Sequence, residues 1–249
     1  MSAVSEAVIL IAGQGSRLRG TNNNNRLKPF VPVLGRPLLS YILEAVSCAG
    51  IRTAHFVVGY ESEEVIANAK QLIPPHINAS FIVNGEWEKQ NGISLLAAAG
   101  HVNAPFLLTM GDHVFGDTII DCLLDNFDPG LLNIAIDRKI DLIVDLDDAM
   151  KVQICGNKVT GIGKNLSNYD AIDTGLFVCP AEIFAYLEQA KTINGGNDCS
   201  LANGVELMAR DGKVRPIDIG DGRWHDIDTS RVLEHVEQDP SWRVLRSLS

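Results

Sequence analysis

Residues 7–39, AVILIAGQGSRLRGTNNNNRLKPFVPVLGRPLL, open on an unbroken apolar run and then dissolve into glycines. Val8 to Ala12 lack polar alternation, which is the pattern of a strand buried on both faces. Gly13 and Gly15 follow at its carboxyl end, Arg17 stands close behind, and Lys28 comes eleven residues later. In an open parallel sheet, ligands bind outside the carboxyl ends of the strands. A glycine turn there lets backbone N–H groups approach phosphate oxygens with no side chain in the way. Arg17 can clamp such oxygens through two N–H groups, and Lys28 adds a point charge on a flexible stem. Two phosphate motifs fail. Leu18 occupies the third position of G-x-G-x-x-G, and the G-x-x-x-x-G-K-[ST] loop is absent. For the glycines alone, a turn without a ligand is the plain alternative. Asn22 to Asn25 form a low-complexity tract, either a loop that closes over a ligand or a tolerated surface loop.

Working outward, strand-like and helix-like segments alternate. PLLSYILEAVSCAG predicts a helix ending at Gly50, TAHFVVGY a strand, SEEVIANAKQLI a helix halted by Pro74-Pro75, and ASFIVN a strand. GISLLAAAGHV then predicts a helix and APFLLTMGD a strand ending in glycine and a carboxylate. This alternation marks a mostly parallel sheet covered by helices. From residue 131 the segments shorten. LLNIAIDRK, LIVDLDD, MKVQICGNKVTGIGK and YDAIDTGLFVC read as strands, with a tight hairpin at Gly156-Asn157. Helices are expected over PAEIFAYLEQA, GVELMARDG and after WHDIDTS, with KVRPIDI as a strand. The expectation is one domain over residues 1–249, with a nucleotide-binding half at 1–130 and an acceptor-binding half with closing elements at 131–249.

The 249 residues are 46% apolar, enough for a sizeable core, and no apolar stretch nears the roughly 20 residues of a membrane span. The N-terminal residues do not read as a secretion signal, so a cytoplasmic protein with no membrane partner is expected. The formal net charge of −10 argues against nucleic acid, whose phosphates demand a basic surface. A small anion remains compatible, because screening over about 8 Å leaves the local cations in charge. Five scattered cysteines with no C-x-x-C pair, namely Cys48, Cys122, Cys155, Cys179 and Cys199, are expected to be reduced core residues. In the tail, Trp242, Val244, Leu245 and Leu248 either pack on the domain or form a homodimer contact.

Carboxylates supply the complementary chemistry. Asp112 closes LLTMGD, facing the same crevice as the glycine loop. Magnesium held by one or two carboxylates and substrate phosphates is the ordinary arrangement for phosphoryl chemistry. Asp226 in RWHDIDTS is the second candidate, and Asp228, just before Thr229, is read as a helix cap.

AGQGSRLRG and LKPFVPVLGRPLL together resemble the N-terminal signature of the sugar-phosphate nucleotidylyltransferases, G-x-G-x-R and P-K-x-L-x-P-V-x-G-x-P-L. Leu27 replaces its first proline and Phe30 its leucine. The combination NGISLL, TMGDHVF, AMKVQ to IGKNL, YDAIDTGLFV and WHDIDT resembles inositol-1-phosphate cytidylyltransferases and related phosphonate or choline-phosphate cytidylyltransferases, although that group often has serine where Gly111 stands. The resemblance implies a Rossmann-like, mixed and mostly parallel α/β sheet of the nucleotide-diphospho-sugar transferase (GT-A-like) type, with a small β-rich acceptor part. It implies a Mg2+-dependent transfer from an NTP, CTP first, to a phosphate or phosphonate acceptor, releasing pyrophosphate. Carried over by residue, Arg17, Lys28 and Lys164 are catalytic. Ala12, Gly13, Gln14, Gly15, Gln90, Asn91 and Gly92 bind the nucleotide, Lys164, Asp173 and Gly175 bind the acceptor, and Asp112 and Asp226 hold the metal. Around Lys164 the Glu-Lys-Pro pattern of relatives is altered to Gly163-Lys164-Asn165. Members are often fused to a membrane-embedded alcohol phosphotransferase; none is read here, so a separate enzyme is expected to consume the product. UTP, GTP or dTTP with a sugar or cyclitol 1-phosphate, and a non-catalytic nucleotide-binding subunit, are the alternatives.

Overall fold

The computed structural model describes residues 4–19 and 27–243, so the asparagine tract and Val244, Leu245 and Leu248 lie outside the described residues. In chain order, β1 is Glu6–Ile11 and a short helix α1 is Ser16–Arg19; β2, Pro32–Val33, and β3, Arg36–Pro37, form a small hairpin before α2, Leu38–Cys48. Next come β4 Thr53–Val58, α3 Ser62–Ala69, β5 Asn78–Val83, α4 Asn91–Ala97, β6 Phe106–Met110, β7 His113–Phe115 and α5 Ile119–Asn126. The later part holds β8 Leu132–Asp137, β9 Lys151–Cys155, β10 Lys158–Gly163, β11 Ala171–Cys179, α6 Glu182–Ile193 and α7 Leu201–Arg210. β12 Val214–Asp218, β13 Trp224–Asp226, α8 Ser230–Gln238 and α9 Pro240–Arg243 complete it.

The large sheet runs β10-β9-β11-β6-β1-β4-β5, with β8 paired to β11 and β12 to β8. β1 lies parallel to both β4 and β6, and β4 parallel to β5, whereas β11 runs antiparallel to β6. The mixed, mostly parallel α/β sheet expected from the sequence is therefore present. From Ala7 onward its first strand is apolar because both faces are covered. Ala7, Ile9 and Ile11 enter one core with α2 and α5, while Val8, Leu10 and Ala12 enter the other with α4, α6 and α7. From β1 the chain builds outward through β4 and β5, then returns to place β6 on the opposite side. That reversal leaves a crevice beyond the carboxyl ends of β1 and β6, where ligands bind in such sheets. No helix among the described residues is long and apolar enough to cross a membrane.

Two expectations need correction. LIVDLDD is not a strand: it holds the end of a 3-10 turn, Ile140–Leu142, followed by irregular turns. Ile140, Ile143, Leu146 and Ala149, three apart, all pack on the first core, so their apolar character serves a coiled segment laid along it. Only Cys179 and Cys199 are core cysteines, for Cys48 and Cys155 are exposed and Cys122 is half-buried. Of the tail residues, Trp242 takes the first of its two expected placements: it is buried in the domain at 1% exposure, in one cluster with Val33, Tyr41 and Val114.

Candidate functional site

Lys28 opens a 3-10 turn, Lys28–Phe30, that carries the chain from the glycine loop into the β2–β3 hairpin. Gly15 lies directly over its stem. It has φ +65, and a Cβ there would fall 2.4 Å from Lys28 Cβ, so both conformation and space require glycine. At the tip, Lys28 Nζ donates to Asp112 Oδ2 at 2.6 Å and also bonds Asp228 Oδ1. Burial opposes the ammonium charge, yet Asp112 and Asp228 outweigh it and hold Lys28 above its ordinary pKa. The mirror effect acts on Asp112. Burial favours its neutral form, but Lys28 and His113 push it far below the usual carboxylate range.

Asp112 sits in the turn between β6 and β7, and β7 pairs antiparallel with β13 so that His113 faces Asp226. The backbone N–H of Ile227 donates to the Asp112 carbonyl at 2.8 Å and fixes this approach. Ligand-capable atoms of Asp112, His113 and Asp226 all lie within 4.8 Å of one another. The His113 ring bonds Asp112 Oδ1 through Nδ1 at 2.7 Å and stacks on Trp224 at 5.9 Å. Burial works against its charge, but Asp226 and Asp112 carry its pKa up to about 9. Asp226 is the opposite case: burial and then the Asp112 charge push it up to about 7. Its Oδ1 is buried without a hydrogen-bond partner among the described residues. An orphaned carboxylate oxygen beside a second carboxylate is the donor set of a hard, oxygen-preferring cation, and Mg2+ fits it.

Asp228 is no helix cap. Thr229 caps α8, its side chain accepting from Val232 N–H, which leaves the Asp228 carboxylate free to pair with both Lys28 and Arg17. Arg17 also donates to Asp148 Oδ2 at 2.6 Å, and the other oxygen of Asp148 takes Lys164. An unbroken chain of ion pairs thus runs Asp112, Lys28, Asp228, Arg17, Asp148, Lys164 across the crevice.

A cavity of about 610 Å³ occupies that crevice. Of the residues expected in the site, Ala12, Gly13, Asn91, Asp112, Lys164, Asp173, Gly175 and Asp226 line it. A second recess of about 300 Å³ shares Gly13, Asp112 and Asp228 with the first and adds Gly15, Arg17 and Lys28. Gln14 lines neither. Gln90 and Gly92 also lie outside: Gln90 donates from its backbone and side chain to Asp198, and a Cβ on Gly92 would fall 2.5 Å from the Cys199 carbonyl oxygen. Asn91 does not cap its own helix. Its Oδ1 accepts from Leu201 N–H and so anchors the start of α7.

Asp173 receives Gly175 N–H at 2.8 Å, but burial dominates and lifts its pKa to about 7. Gly175 makes room for a neighbour, with φ +73 and a Cβ that would lie 2.5 Å from His113 Nε2. Sequence reasoning leaves the part of His113 open and misses Asp148 and Asp137. Trp224 Nε1 donates to Asp137 Oδ2 at 2.9 Å, which pins β13 two residues before Asp226. A histidine beside Asp112 was the only local signal; the other contacts join residues 87 and 131 positions apart.

Residues 7–139 match the family model of the MobA-like NTP transferase domain. A bifunctional IPC transferase and DIPP synthase of Thermococcus kodakarensis is 35% identical over 93% of this chain and 50% of its own length. A bifunctional IPC transferase and DIPP synthase of Aquifex aeolicus is 28% identical over 94% of this chain and 51% of its own. The chain therefore spans about half the length of the curated relatives it matches. The solved inositol-1-phosphate CTP transferase from T. maritima superposes with a TM-score of 0.79 at 26% identity, over 95% of this chain and 96% of that one.

Proposed function

Because the chain belongs to the MobA-like NTP transferase family, we propose that it is a nucleotidyltransferase that joins CTP to a phosphorylated polyol, inositol 1-phosphate first, and releases pyrophosphate. The observation that carries this reading is the convergence of Arg17, Lys28 and Lys164 with Asp112 and Asp226 on one crevice at the switch point of the sheet. The names of the relatives direct it toward CTP and an inositol phosphate.

In the reaction, a phosphate oxygen of the acceptor attacks the α-phosphorus of the nucleotide, and the bond to pyrophosphate breaks in line. A phosphate monoester is largely dianionic at pH 7, its second pKa being about 6, so no side chain need deprotonate the nucleophile. The protein's task is alignment and charge neutralisation, since two polyanions repel as they meet. Gly13 and Gly15 present backbone to the phosphates, Lys28 and Arg17 neutralise charge on the departing pyrophosphate, and Lys164 seats the acceptor phosphate. Asp173, with its proton retained near neutrality, exchanges hydrogen bonds with acceptor hydroxyls. Asp112 and Asp226 would hold Mg2+, which when bound supplies further charge neutralisation for the nucleotide phosphates. Residues 1–130 would form the nucleotide side and 131–249 the acceptor side of this one unit.

The test is pyrophosphate release from CTP, UTP, GTP, dTTP and ATP, each against a panel of polyol phosphates, choline phosphate and phosphonates. CTP with inositol 1-phosphate is expected to lead. Release with no pair would refute the reading, and a sugar 1-phosphate with UTP leading would transfer it to the related alternative.

A further inference from the structure

The side chain that joins Arg17 to Lys164 in the ion-pair chain belongs to neither predicted substrate set. Asp148 lies on the turn before β9, half-exposed, with one oxygen on Arg17 of the glycine loop and the other on Lys164 at the end of β10. These are the two cations assigned above to the opposite ends of the reaction. The turn itself is firmly tied. The buried Lys151 ammonium donates to the carbonyls of Leu146, Ala149 and Lys164, and Asp173 N–H donates to the Met150 carbonyl at 2.8 Å. Backbone retreat of Asp148 would break these bonds, whereas rotation of its side chain would not.

Resting on the functional reading above, we propose that Asp148 is a positioning residue that couples the two substrates by standing in for phosphate between Arg17 and Lys164. A carboxylate bridging both cations occupies the places that phosphate oxygens must take. A triphosphate arriving at Arg17 displaces one oxygen and repels the remaining charge, so the side chain turns away and Lys164 is released for the acceptor. Apparent affinity falls by the fraction of molecules whose cations are occupied by Asp148, and the first anion to bind removes that handicap for the second. The coupling is reciprocal by linkage.

The test is calorimetric titration of the full chain and its variants with magnesium, the non-reacting analogue α,β-methylene-CTP, and inositol 1-phosphate. Asp148→Asn should bind the analogue tighter by about threefold, a gain that loss of a purely structural contact would not give. In the parent, saturation with the analogue should tighten inositol 1-phosphate by about threefold or more, and in Asp148→Asn this factor should fall toward one. Asp147→Asn is the control for general loss of negative charge. Asp147 is exposed, lies outside the cavity, and its variant should stay near the parent. The proposal is overturned if Asp148→Asn binds no tighter, if Asp147→Asn gains as much, or if the coupling survives. A parent that binds no nucleotide sinks the functional reading instead. Inorganic pyrophosphate then serves as the probe, and equal affinity of parent and Asp148→Asn overturns the coupling role.

Discussion

Lys28 and Lys164 are both lysines paired with aspartates in one crevice, yet they sit in different physical regimes. The Lys28 side chain is 12% exposed and shared between two carboxylates, with its pKa held above the ordinary value. The Lys164 side chain is 46% exposed and meets a single, half-exposed carboxylate. Removing one partner of a buried pair leaves an uncompensated charge and costs about 3–5 kcal/mol, whereas an exposed pair is worth about 0–1 kcal/mol. Lys28, at the proposed nucleotide end, is therefore built as a rigid electrostatic fixture, and Lys164, at the proposed acceptor end, as an exchangeable contact.

That contrast is broken most directly at Asp112. Asp112→Asn should abolish magnesium-dependent pyrophosphate release, a drop of about 100-fold or more if metal stabilisation contributes several kcal/mol. Undiminished release would remove Asp112 from the metal site. Lys28→Ala should come next, with turnover down by about tenfold or more, since a charged hydrogen bond is worth about 1.5–3 kcal/mol. Its thermal midpoint should fall too, because Asp112 and Asp228 lose their shared cation. Lys164→Ala should leave the midpoint nearly unchanged and raise the acceptor KM by a few fold, in line with an exposed contact. A fall in the midpoint as large as that of Lys28→Ala would erase the distinction between the two ends.

The smallest effect concerns pH. The Asp173 carboxyl rises from 3.8 to about 7 on folding. Between those values the folded state keeps a proton that the unfolded chain has released. The contribution of Asp173 to stability is therefore complete below about pH 4 and fades as pH climbs to about 7. Against the parent, Asp173→Asn should flatten the fall of the unfolding free energy across that window, measured by urea titration at several pH values. Identical slopes in the two proteins would show that Asp173 ionises as freely in the fold as in the unfolded chain.

The same contrast governs what could be read in advance. Lys28 and Asp112 are legible because each stands at a strand end or beside a glycine turn, where a local pattern predicts position. The hairpin at Gly156-Asn157 is legible for the same reason and forms the β9–β10 turn. Asp228 was misread because two neighbouring residues can each cap a helix, and only the fold shows that Thr229 does so. Gln90 and Gly92 line neither recess because Asp198 and Cys199, on the stretch just before α7 and more than a hundred residues away in sequence, lie against them.

By itself the sequence determined the layers and the location of the crevice. Runs buried on both faces can only be inner strands of a covered sheet, and glycines after such a strand mark its open carboxyl end. Only the tertiary structure decided which carboxylate faces which cation. β7–β13 pairing sets Asp226 opposite His113, and loop packing brings Asp148 to Arg17 across 131 residues. Strand patterns arise from neighbours along the chain, whereas Coulomb interactions depend on distances in space that no local pattern encodes.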